Sequence, residues 1–113
     1  MYRLVAIDLD GTLLNTQSKI SEGNKQAIAR AIEKGVEVII CSGRILSGAK
    51  VFAREVGAER IIITCNGAII VNMKTGDVLY DNPMSKEDCY KIIDVCRKEK
   101  VYFHAYAGNV MFT

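Results

Sequence analysis

Several features that mark particular classes of protein are scarce in this sequence. The longest apolar runs, 36–41 and 61–65, fall far short of the roughly 20 residues that a helix needs to cross a bilayer. Basic side chains barely outnumber acidic ones, 15 against 13, and they form no clustered stripe that would neutralise a row of phosphates. The sequence therefore predicts neither a membrane span nor a nucleic-acid partner.

Cysteine and histidine are also too few or too far apart to indicate a soft-metal centre. The four cysteines lack the short spacing of metal ligands. The single histidine, His104, lies in an apolar and aromatic segment, where a core or surface role is the simpler interpretation. Met1 leads directly into an apolar run without a secretory leader. We therefore expect a cytoplasmic protein whose cysteines are reduced.

What the sequence does contain is an alternation of apolar runs and helical segments. Each run is short and rich in valine and isoleucine, as in buried parallel strands. In the segments between them, Ser21 is a candidate N-cap, and Gly35 and Gly57 stand where helices commonly end. The alternation predicts βαβ units and therefore an open parallel sheet of the α/β class. The three predicted strands are 2–7, 36–41 and 61–65.

The pattern changes after the third predicted strand. Two apolar segments, 68–72 and 78–80, flank a turn that contains Gly76, which predicts a β-hairpin. Ser85 is then a candidate N-cap for a helix whose apolar residues follow helical spacing, and two short strands are predicted near the end, 101–106 and 109–112. We therefore predict a boundary near Pro83, with a first domain at 1–83 and the beginning of a second at 84–113.

Two carboxylates follow the first apolar run, in the stretch AIDLDGTLL at 6–14. Asp8 and Asp10 are two positions apart, so in an extended segment their side chains face the same side, at the end of a strand where α/β sheets bind ligands. Gly11 permits a sharp turn and Thr12 adds a hydroxyl. Neighbouring carboxylates repel unless a cation relieves them, and Mg²⁺ prefers such oxygen ligands. One carboxylate can then attack phosphorus while the other transfers a proton.

A second polar cluster, CSGR at 41–44, follows the second predicted strand. If the first two strands are neighbours, the Ser42 hydroxyl and the Gly43 amide lie beside Asp8 and face an oxyanion such as phosphate. Serine and glycine after a strand are also ordinary turn residues, so the cluster is informative mainly through its pairing with Asp8.

These two stretches resemble the first two motifs of the haloacid dehalogenase-like hydrolases, a superfamily of mostly Mg²⁺-dependent phosphatases. The resemblance is closest to the Cof-like branch, whose members also carry an NGA sequence, here 66–68, after the third strand. The resemblance implies a Rossmann-like core followed by an α/β cap, and it extends over essentially the whole chain.

The resemblance also implies roles for individual residues. Asp8 would be the nucleophile and Asp10 the acid/base, and Mg²⁺ would be held by the Asp8 carboxylate and the Asp10 main-chain carbonyl. A phosphoryl group would be bound by Ser42, with further contacts from three neighbours: Gly11, Thr12 and Gly43. Arg44 and Asn66 match recurrent positions at the edge of the site, without an assigned chemical step. The substrate implied is a small phosphorylated metabolite.

The chain departs from the family pattern in its length. The lysine that braces the phosphate and the later acidic motif that completes the Mg²⁺ shell are not found in these 113 residues. Three interpretations follow: a phosphatase that needs a further half, a non-catalytic fragment or binding module, and a phosphoryl transferase such as a mutase. The substrate stays open in each.

The missing second half also leads to an expectation about assembly. In the family the first strand is central, so here it would be an edge with unpaired backbone groups. We therefore expect the isolated chain to lack appreciable phosphatase activity and to self-associate or pair with a complementary chain.

Overall fold

The three apolar runs form neighbouring parallel strands in the computed structural model, which describes all residues, 1–113. Strand β1 spans Leu4–Ile7, β2 spans Glu37–Cys41 and β3 spans Ile61–Thr64. Strand β1 pairs with β2 in parallel, with Ile7 opposite Ile40, and β2 pairs with β3 in parallel. The carboxyl ends of the three strands therefore meet at one edge of the sheet.

The predicted hairpin extends this sheet with two antiparallel strands. Strand β4, Ile69–Asn72, pairs with β3, and β5, Val78–Asp81, pairs with β4, so that the strand order is β1-β2-β3-β4-β5. The sheet is therefore mixed, and the predicted parallel arrangement holds for its first three strands. The α/β, Rossmann-like class is confirmed.

Two helices connect the parallel strands, as the periodicity predicts. Helix α1, Glu22–Glu33, is capped by Ser21, whose hydroxyl accepts a hydrogen bond of 3.2 Å from the Asn24 amide. Helix α2 spans Leu46–Glu55. Both pack on the sheet around a core whose most deeply buried apolar residues come from the turn after β1, from the strands and from α2: Leu9, Ile40, Ala49, Ala53 and Ile62.

The burial that the apolar run predicts for the first strand is wrong, whereas the edge position expected for it is confirmed. Strand β1 lies at the edge of the sheet, and most of its side chains are exposed, including Leu4 and Val5. The physical reason is that β1 has a neighbour on one side only, so its outer edge and part of both its faces meet solvent.

The chain divides into two compact units, Met1–Asp81 and Asn82–Thr113. The second unit contains helix α3, Lys86–Glu99, and a two-stranded antiparallel ladder. The ladder is shorter than predicted, since β6 covers only Ala105–Ala107 and β7 covers Val110–Phe112. None of the three helices has the length and apolar character that a bilayer-spanning helix requires.

Candidate functional site

The turn after β1 presents the two acids at the carboxyl end of the sheet. Leu9 is fully buried and anchors the turn, while Asp8 and Asp10 on either side of it are exposed. The turn is closed by a hydrogen bond of 3.1 Å from the Leu13 amide to the Asp8 carbonyl. Gly11 has a φ of 77°, the left-handed region that other residues rarely adopt, and this explains a glycine here. Asp8 and Asp10, the two acids that the sequence predicts to form the site, are therefore exposed to solvent on either side of a buried residue.

The two carboxylates have different partners. Asp8 accepts one long hydrogen bond of 3.4 Å from the Thr12 hydroxyl, so most of its lone pairs are free. Asp10 instead forms a two-pronged ion pair, in which Arg44 Nε and Nη2 each donate to one carboxylate oxygen at 2.7 Å. These bonds lower the pKa of Asp10 below its ordinary value and raise that of Arg44.

The loop after β2 lies beside this turn, as the sequence predicts. Ser42 is buried, and its hydroxyl accepts a hydrogen bond of 3.2 Å from the Arg44 amide. Gly43 and Arg44 follow at the surface, and Arg44 reaches the β1 turn directly through Asp10. The parallel pairing of β1 with β2 therefore places the two motifs side by side.

Asn66 lies against the same loop from the end of β3. The backbone N–H of Asn66 donates to the Ser42 carbonyl at 3.2 Å, and the backbone N–H of Cys65 donates to the Arg44 carbonyl at 3.0 Å. A Cβ atom on Gly43 would stand only 2.8 Å from Asn66 Oδ1, so a larger residue there would displace the Asn66 side chain. Cys65 and Asn66 both have positive φ angles, of 51° and 54°, a left-handed conformation that asparagine tolerates but that costs energy in cysteine.

Phe52 is the contributor to this site that the sequence analysis did not identify. The Arg44 guanidinium carbon lies 5.1 Å from the centre of the Phe52 ring, which is within the range of a cation–π contact. The helical periodicity marks Phe52 as a core-facing residue of α2, and it does pack against the core. The contact between Phe52 and Arg44 could not be predicted from periodicity, because it depends on the path of the loop after β2.

The oxygens around Asp8 suit a hard cation such as Mg²⁺, but they are few. The Asp8 carboxylate is exposed and nearly free, and the Asp10 carbonyl is the second ligand that the resemblance implies. The Asp10 carboxylate is engaged by Arg44, and nowhere in the chain do three or more acidic, histidine or cysteine side chains form a metal-holding group. The residues therefore fit Mg²⁺ that keeps several water ligands, a common arrangement for this ion.

The structure is a Rossmann-like α/β sheet with an acid pair and a polar loop at its carboxyl edge, the edge at which such sheets bind ligands. The chain belongs to the haloacid dehalogenase-like hydrolase family, whose model matches residues 5–113. The predicted resemblance is thereby confirmed.

Individual relatives support the assignment. The chain is 31% identical to the phosphatase YwpJ of Bacillus subtilis over 98% of its own length and 39% of that protein. It is 37% identical to the 5-amino-6-(5-phospho-D-ribitylamino)uracil phosphatase YwtE of the same organism, over 95% of this chain and 36% of that one. A solved haloacid dehalogenase-like hydrolase from B. subtilis has a TM-score of 0.87 and 31% identity, over 98% of this chain and 39% of its own. The chain thus spans about two fifths of these relatives.

Proposed function

We propose that this chain carries the reacting residues of a Mg²⁺-dependent phosphatase that acts on small phosphorylated metabolites. The observation that carries the proposal is the position of Asp8: its carboxylate is exposed and nearly unpartnered at the carboxyl end of β1, beside the loop that contains Ser42. Membership of a hydrolase family and similarity to several phosphatases support it. The name of YwtE, which specifies a phosphorylated ribityl compound, supports the metabolite class.

The proposed reaction has two steps. Asp10 first takes up a proton from solvent. An Asp8 oxygen then attacks phosphorus, the ester P–O bond breaks, and the leaving oxygen takes that proton from Asp10, which leaves an aspartyl-phosphate on Asp8. Asp10 then takes a proton from water as the water oxygen attacks phosphorus, which releases inorganic phosphate and restores the Asp8 carboxylate. Ser42, the Gly43 amide and the residues Gly11 and Thr12 hold the phosphoryl oxygens, and Mg²⁺, when bound, supplies positive charge to them.

The division of the chain into functional parts is also a proposal. We assign 1–83 to the amino-terminal part of the catalytic core and 84–113 to the beginning of a cap. Because the relatives are more than twice as long, we expect full turnover to require residues that these 113 do not provide. A non-catalytic binding module is the second candidate, and the small number of metal-ligating side chains is the observation that favours it.

The nucleophile is tested by replacing Asp8. We join the chain to the part of YwpJ that the similarity leaves out and measure hydrolysis of p-nitrophenyl phosphate. Asp8→Asn keeps the size but removes the attacking charge, so turnover should fall at least ~10³-fold, about 4 kcal/mol of transition-state stabilisation. Asp77→Asn, in the distant hairpin turn, is the matched control and should leave turnover unchanged. Substantial residual activity in Asp8→Asn would refute the assignment, and an inactive parent fusion would favour the binding module.

The acid role of Asp10 is tested separately in the same fusion. Asp10→Asn should slow the release of an alkyl alcohol more than the release of nitrophenolate, because nitrophenolate needs little protonation as it leaves. The measurement is the rate of the first half-reaction, followed by rapid quench, with one alkyl and one aryl phosphate. Equal losses for both substrates would count against Asp10 as the general acid.

A further inference from the structure

Both oxygens of the Asp10 carboxylate are occupied by one side chain. Arg44 Nε donates to Oδ2 and Arg44 Nη2 donates to Oδ1, each at 2.7 Å, in the side-on geometry that arginine forms with carboxylates. Each oxygen keeps one further lone pair, but the two bonds to Arg44 fix the orientation of the carboxylate, and a residue that gives and takes protons at a leaving oxygen must be able to turn an oxygen toward it. The pair in the structure is therefore a resting arrangement, and Asp10 must leave it before acting as proposed.

The position of Arg44 is set by groups outside this pair. Its backbone is held on both sides, because its amide donates to Ser42 Oγ and its carbonyl accepts from the Cys65 amide. Its guanidinium rests over the Phe52 ring, and Phe52 is packed on the core from α2. The guanidinium of Arg44 is thus held beside the loop after β2 by contacts outside its ion pair with Asp10.

A phosphate group at that loop would compete with Asp10 for the same guanidinium. Arg44 is the cation that forms an ion pair with the acids of the β1 turn, and no other ion pair of the chain involves them. A phosphate monoester beside Ser42 adds negative charge next to Asp8 and Asp10. Two of its oxygens can accept the pair of guanidinium N–H bonds that the Asp10 carboxylate now accepts.

We propose that Arg44 is a positioning residue with two alternating partners: it holds Asp10 when the site is free of phosphate, and it transfers to a phosphate group bound beside Ser42, which releases Asp10. This rests on the proposed function, since the release matters only if Asp10 transfers protons. Substrate binding would thereby free the acid/base residue at the moment when it is needed.

The resting pair is tested first, by nuclear magnetic resonance on the complete 113-residue chain. The Arg44 Nε–H proton should exchange with water at least about tenfold more slowly than that of Arg60, because a charge-assisted hydrogen bond must open first. Arg60 is a matched internal control, since it contacts Glu37 through Nη1 only, at 3.1 Å. Phe52→Leu should accelerate exchange at Arg44 and leave Arg60 unchanged. Equal exchange at the two arginines in the parent chain would overturn the proposal.

The release is tested by adding inorganic phosphate at constant pH, with and without Mg²⁺. The Asp10 Cγ resonance should move toward its position in Arg44→Lys, a variant that keeps the charge but lacks the planar pair of donors that binds both oxygens side-on. The Asp77 Cγ resonance should not move. In Arg44→Lys itself, phosphate should leave Asp10 Cγ nearly unchanged. Arg60→Lys, the control substitution, should respond as the parent chain does.

The outcomes separate this proposal from the function on which it rests. If phosphate shifts the Ser42 and Gly43 amides but not Asp10 Cγ, the alternation is wrong while the phosphate site stands. If phosphate shifts none of these resonances in either condition, both the alternation and the proposed phosphate site are wrong.

Discussion

Asp8 and Asp10 are separated by a single residue, yet their carboxylates have different hydrogen-bond partners. The Asp8 carboxylate has only a 3.4 Å contact with Thr12, whereas Asp10 has two short bonds to Arg44. Acid pairs in enzymes commonly divide their roles through such differences in environment. In the mechanism that we propose, the nearly unpartnered carboxylate of Asp8 attacks phosphorus, and the availability of the paired Asp10 carboxylate depends on Arg44.

The Arg44–Asp10 pair predicts a pH dependence. Hydrogen bonding from Arg44 holds the pKa of Asp10 below its ordinary value of 3.8. Because the folded pKa is lowered, the pair stabilises the folded state above pH 3.8, and this stabilisation is lost as the pH falls through the lowered pKa. A titration of Asp10 Cγ by nuclear magnetic resonance should give a midpoint below 3.8 in the parent chain and a higher one in Arg44→Met.

The control for this titration is Arg60→Met, which removes the cation of the ion pair between Arg60 and Glu37. It should leave the Asp10 midpoint where it is in the parent chain. A midpoint that does not differ between the parent chain and Arg44→Met would show that the pair does not persist in solution.

Secondary structure was predictable where a local signal coincided with the tertiary environment. Ser21 and Ser85 were recognisable as N-caps, and each hydroxyl accepts the expected backbone hydrogen bond. The β1 turn was recognisable because two acids and a glycine follow an apolar run. By contrast, the bond between Asp10 and Arg44 joins residues 34 positions apart, and its geometry depends on the register of β1 with β2 and on the path of a loop. Neither the register of the two strands nor the path of the loop can be read from the spacing of residues in the sequence.

The cap of α1 gives a test at the level of one helix. Ser21→Ala removes the hydroxyl that accepts from Asn24, so the free energy of unfolding should fall by about 1 kcal/mol. Ser47→Ala is the matched control: Ser47 is exposed within α2 and makes no capping bond, and alanine is a better helix former there. Urea denaturation followed by circular dichroism measures both. A loss in Ser47→Ala equal to that in Ser21→Ala would contradict the capping role.

The two edges of the five-stranded sheet differ from its interior in exposure. Strand β2 is largely buried, whereas β1 at one edge and β5 at the other present exposed apolar side chains, among them Val5 and Leu79. Edge strands that are apolar and lack charge offer unpaired amide and carbonyl groups to a further strand. Strand β1, Leu4–Ile7, contains no charged residue, so nothing in its sequence opposes such pairing.

We therefore predict that the 113-residue chain self-associates through β1. Size-exclusion chromatography with light scattering should show a mass that rises with concentration, and Val5→Lys should lower that mass because a charge on an edge strand opposes strand pairing. Val51→Lys is the matched control: Val51 is also an exposed valine, but it lies on α2 away from a sheet edge, and its replacement should leave the mass unchanged. A chain that is monomeric at every concentration would refute the prediction, and equal effects of the two substitutions would assign the association to general surface hydrophobicity.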